Sequence, residues 1–103
     1  MVQALGKFTR IEESEMAYYA AVLEMKDASR NMTIRPQHLA YLKQCYDEGK
    51  LYACGPFVDG SGGMVIYIAD SQEEAEQIAG KDPYVIEGVR SLNLREWKMS
   101  LSL

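Results

Sequence analysis

Two stretches of this chain are apolar on both faces of any strand they could form. In AYYAAVLEM, residues 17–25, Tyr18 and Val22 share one parity while Tyr19, Ala21 and Leu23 share the other. In MVIYIA, residues 64–69, Val65 and Tyr67 alternate with Ile66 and Ile68. Successive side chains of a strand point to opposite sides of the sheet, so each of these strands needs cover above and below. Leaving such side chains in water forgoes roughly 1.5 to 3 kcal/mol apiece and presents a patch too large for a typical monomer.

The rest of the chain supplies too little cover for both faces. From Pro36 to Gly49, Leu39, Leu42, Cys45 and Tyr46 recur at helical spacing, which predicts an amphipathic helix with proline in its first turn and a glycine stop, after a polar DASRNMT loop. LYACGPFV, residues 51–58, reads as a second strand broken near its end by Gly55-Pro56, and DGSGG turns it into the third strand, residues 64–69. Ser71 and Glu74 form a capping box ahead of Ala75, Ile78 and Ala79, so a second helix runs from about residue 72 to Gly80 and Asp82-Pro83 closes it. After a bend through PYVIEG, RSLNLREWKM, residues 90–99, alternates as a last strand.

The order βαββαβ predicts an α+β, ferredoxin-like domain: a four-stranded antiparallel sheet with two helices on one face. The uncovered face then calls for a symmetric sheet-to-sheet homodimer, with a binding cavity as the other solution and further assembly of dimers left open. Residues 17–99 form this domain. Residues 1–16 read as an N-terminal extension, a short helix or a loose arm, and 100–103 as a tail.

Composition narrows the partners. A chain of 103 residues, 48% hydrophobic and 25% charged, is one ordinary domain. With 11 Lys and Arg against 15 Asp and Glu, its formal charge of -4 offers no basic surface for nucleic acid or anionic lipid. No run approaches the ~18 to 20 apolar residues that cross a bilayer, and MVQALGKFTRIEESE lacks the apolar core of a secretory signal, so the expected location is cytoplasmic. Cys45 and Cys54 stand in no metal-binding spacing and read as small buried thiols. One histidine leaves little for a metal site, and GSGG leads into a strand, as a hairpin turn does, rather than into a helix as a phosphate cradle would. The expectation is therefore no metal and no organic cofactor.

The predicted topology gathers chemistry at one end of the sheet. Arg35, Pro36 and His38 at the start of the first helix, Gly55 and Pro56 at the end of the second strand, and Asp82, Pro83 and Tyr84 after the second helix should converge. In a first helical turn His38 would be half buried, with the positive helix end disfavouring its imidazolium; Asp82, past a negative helix end, would welcome a cation. Each suits the other. A carboxylate-oriented imidazole with one free nitrogen is the minimum equipment for moving a proton at neutral pH, and the same pair could equally be a structural latch. Arg35 could hold an anionic substrate or pair with a surface carboxylate.

RPQHLAYLKQCYDEGKLYACGPF, the SQEEAEQ helix start and DPYVIEG share their order and spacing with the YciI-like proteins, which this chain resembles from Ala17 to Lys98. The resemblance implies the dimeric α+β barrel fold. It also places a polar dyad on His38 and Asp82, with Gly55, Pro56 and Tyr84 lining the same cleft. The wider superfamily includes lactone isomerases, dehalogenating and oxygenating enzymes acting on small cyclic compounds, and non-catalytic binders. The expected function is thus a small homodimeric acid/base enzyme of isomerase or lyase type, acting on a cyclic or carbonyl-bearing metabolite. The alternative is a non-catalytic small-molecule-binding or accessory dimerisation module.

Overall fold

The computed structural model describes residues 16–102. The extension expected over residues 1–16 therefore falls, but for Met16, outside the described residues. The elements are β1 (Ala17–Met25), α1 (Ala28–Asp47), β2 (Leu51–Pro56), β3 (Gly62–Ala69), α2 (Gln72–Gly80), α3 (Pro83–Ile86) and β4 (Arg90–Trp97). The strands form one sheet in the order β2-β3-β1-β4, every pair antiparallel. This is the ferredoxin-like α+β arrangement.

Tyr19, Ala21 and Leu23 of β1 and Val65, Tyr67 and Ala69 of β3 point to the helix side, where they pack with Leu42 and Cys45 of α1 and Ala75, Ile78 and Ala79 of α2. The alternate positions, Tyr18 and Val22 beside Met64 and Ile68, point the other way. On that side Tyr52 meets Tyr18 edge-on at 5.1 Å, and Tyr52, Met64 and Trp97 remain exposed. Among the described residues no helix covers this face.

Helix ends follow local chemistry. Gly49, at φ 77, ends α1 in a Schellman turn, with Lys50 N–H donating to the Cys45 carbonyl and Gly49 N–H to that of Tyr46. Ser71 Oγ accepts from Glu74 N–H at 3.0 Å, and the Glu74 carboxylate reaches back to Asp70 N–H.

The structure corrects several boundaries. Helix α1 begins at Ala28, not Pro36, so DASRNMT is mostly helical and Pro36 lies inside the helix. Proline removes the hydrogen bond to the Met32 carbonyl, but Pro36 and Met32 are exposed, leaving that carbonyl open to water. The buried stripe is Ile34, His38, Leu42 and Cys45, while Leu39 and Tyr46 are exposed beside it. Strand β2 stops at Pro56, β3 starts at Gly62, β4 stops at Trp97, and PYVI is a third short helix rather than a bend. Cys45 is buried as expected; Cys54 is exposed, because β2 is an edge strand that buries only Leu51.

Candidate functional site

His38 projects from the buried stripe of α1 toward α3, where the chain has just left α2. There Asp82 is the N-cap of α3 and Pro83, which has no N–H to satisfy, occupies the first helical position. The Asp82 carboxylate caps the turn by accepting from Tyr84 N–H at 2.9 Å. Its two oxygens also lie 2.8 and 2.9 Å from His38 Nδ1. A carboxylate only accepts, so Nδ1 is the donor, and Nε2 is left without a hydrogen-bond partner among the described residues. Asp82 is wholly buried, whereas the His38 side chain keeps 10% of its surface open.

Tyr84 orders the rest. Its ring stacks on the imidazole at 4.1 Å and 25°, and its hydroxyl donates to the Asn31 carbonyl at 3.2 Å. The Arg90 guanidinium lies 4.3 Å from the centre of the same ring and donates through Nη2 to Asn31 Oδ1 at 2.9 Å. Burial pushes the Tyr84 hydroxyl pKa up, and the nearby Arg90 and Arg35 charges pull it partly back. These contacts clamp α1, α3 and the start of β4 together and fix the plane of the imidazole.

Beside this cluster a cleft of about 70 Å³ opens on the helix side of the sheet. Arg35, His38 and Leu39 of α1 line it, with Gly55 and Pro56 of β2, Gly63 of β3, and Tyr84 and Arg90. Arg35, His38, Gly55, Pro56 and Tyr84 thus share one cleft, and Asp82 sits behind His38 without lining it. Pro36 is on the solvent side of α1, and neither it nor Pro83 lines the cleft.

Two parts of the electrostatic expectation change. His38 is in the middle of a 20-residue helix, so no helix terminus acts on it, and it is buried, not half buried. Asp82 is tied more closely to the N–H groups that open α3 than to the end of α2. The pairing rests on direct hydrogen bonds. Sequence reasoning passed over Arg90 and Asn31. The topology did place the start of the last strand at this end, so its first residue, Arg90, was open to inclusion on position alone; Asn31 was hidden in a segment read as loop.

Comparison with known proteins gives a consistent setting. Residues 16–98 match the model of the YCII-related domain. The uncharacterized protein YjpA of Bacillus subtilis is 35% identical over 82 residues, covering 80% of this chain and 96% of that protein. Protein YciI of Escherichia coli is 39% identical over 70 residues, covering 58% of this chain and 71% of its own. Among solved structures, the 5-chloro-2-hydroxyhydroquinone dehydrochlorinase TftG of Burkholderia phenoliruptrix, in complex with 2,5-dihydroxybenzoquinone, superposes with a TM-score of 0.68 at 22% identity. That match covers 79% of this chain and 93% of the dehydrochlorinase chain, and it shows a shared fold.

Proposed function

The chain belongs to the YCII-related domain family, and we propose that it is a cytoplasmic, homodimeric acid/base enzyme of isomerase or lyase type whose His38 moves a proton on a small cyclic or carbonyl-bearing metabolite without metal or organic cofactor. The observation that carries this reading is the His38–Asp82 pair: Nδ1 is held at 2.8 Å by a buried carboxylate while the ring lines an open cleft. Nε2 is then a base aimed at whatever the cleft holds. It takes a proton from carbon beside a carbonyl, the C–H electron pair passes into the carbonyl system, and the imidazolium is balanced by Asp82. Returning the proton to another atom isomerises the substrate; letting the electron pair expel a leaving group makes the enzyme a lyase. The dehydrochlorinase of similar fold holds a small carbonyl-bearing ring, which is the substrate class proposed here. The dimer is supported by the uncovered apolar face of the sheet, whose Tyr52, Met64 and Trp97 remain exposed.

His38→Ala is a poor test, because it strips a buried carboxylate of its partner and should cost about 3 to 5 kcal/mol of stability whatever the function. His38→Asn is better: the amide N–H takes the place of Nδ1–H toward Asp82, and nothing replaces Nε2. A library of small ring and carbonyl metabolites is screened by thermal shift, and each hit is assayed for turnover. We expect a compound that wild type converts and His38→Asn converts about 100-fold or more slowly, with melting temperature preserved. Equal turnover by both proteins would remove His38 from the chemistry, and saturable binding without conversion of any hit would favour a binding module.

A further inference from the structure

The side chains that can bring a positive charge to the cleft outnumber those that bring a negative one, since its Cys54 thiol and Tyr84 hydroxyl are held neutral by desolvation. Arg35, His38 and Arg90 face it and no carboxylate does, in a chain with 15 acidic and 11 Lys or Arg residues. Asp82, the nearby acid, is engaged by His38 and Tyr84 N–H. Arg90 is the unusual member, being only 8% exposed. Its Nε and Nη2 donate to one neutral oxygen, Asn31 Oδ1, at 3.3 and 2.9 Å, and its flat face rests on Tyr84. Among the described residues no carboxylate lies within ion-pair reach of it, and Nη1 has no acceptor. A guanidinium withdrawn from water without a counter-charge is costly, and the usual remedy is an anion that its planar fork can grip.

The space beside Nη1 is kept clear by glycine. A Cβ on Gly63 would come within 2.8 Å of the Gly55 carbonyl oxygen and 3.1 Å of Nη1, so a side chain at residue 63 would crowd both the cleft floor and the guanidinium. His38 and Arg90 both pack on the ring of Tyr84, at 4.1 and 4.3 Å, and both line the one cleft, so the base and the cation are held against the same space. We infer that Arg90 is a substrate-binding residue that grips a planar oxyanion of the ligand, with Arg35 adding charge at the exposed rim. The substrate class narrows to small ring or carbonyl compounds bearing a carboxylate or an enolate-type oxygen. The inference rests on the cleft being the ligand site, and it does not depend on His38 performing chemistry.

The test is a titration of the wild-type chain, followed by the Arg90 Nε–H and His38 ring resonances, with acetate and benzoate against the neutral isosteres acetamide and benzamide at constant ionic strength. Both carboxylates should shift these signals saturably, and each amide should bind about tenfold or more weakly. Arg90→Gln should abolish the preference, and His38→Asn should keep it. Saturable shifts of equal affinity from carboxylate and amide, no saturable shift from either carboxylate, or an undiminished preference in Arg90→Gln would each overturn the assignment. Arg90→Gln also removes contacts to Asn31 and Tyr84; if it fails to fold, the wild-type carboxylate-to-amide comparison decides alone. Equal binding of carboxylate and amide would leave the proton-transfer reading standing, and loss of that reading would leave this preference intact.

Discussion

Tyr67 buries its hydroxyl with no hydrogen-bond partner among the described residues. Burial, with the Asp82 charge next in weight, pushes that hydroxyl far above the usual tyrosine range. An unpaired buried hydroxyl costs about 1 to 3 kcal/mol, so Tyr67→Phe should leave stability unchanged or raise it by about 1 kcal/mol, as read by urea denaturation. A loss of more than about 1 kcal/mol would mean that a bound water joins the hydroxyl to its polar neighbours. At this scale the sequence carried the pairing of His38 with Asp82, because helix and strand order alone bring the two segments to one end. It did not carry the orientation of Arg90, which depends on Gly63 leaving room and on Asn31 belonging to a helix.

The hairpin between β2 and β3 shows how an element is held in register. Gly62 has φ 145, and a Cβ there would run into the Leu23 carbonyl oxygen on the neighbouring strand, whereas Gly60, at φ 80, meets nothing nearby. Gly60→Ala should therefore cost about 1 kcal/mol of backbone strain, and Gly62→Ala at least about 2 to 3 kcal/mol, because β3 must move away from β1. Similar costs for both in urea denaturation would contradict the close approach. Periodicity revealed these strands but not where the glycines stop being turn and become sheet. Pro36 misled for a related reason: proline is commonest in a first helical turn, and only tertiary packing of Ile34 against Tyr84 and Val89 shows that the helix starts earlier.

For the whole molecule the unresolved demand is the second face of the sheet. Tyr18, Val22, Met64 and Ile68 share it with no helix above them among the described residues, which is why its two-sided apolar strands were the most informative feature of the sequence. If two copies pack through it, wild type sediments as a dimer, and Val22→Glu, at the centre of that face, yields a folded monomer by far-UV circular dichroism. A monomeric wild type would contradict the pairing. The catalytic proposal has a sharper test, because the chain contains a single histidine and its ring nitrogens can be observed without assignment ambiguity. The long-range 1H–15N spectrum of the neutral imidazole should show hydrogen on Nδ1 and a bare Nε2, and Asp82→Asn should shift the Nδ1 signal. A proton on Nε2 in the wild-type neutral ring would contradict the account, since the base would then face the buried carboxylate and not the cleft.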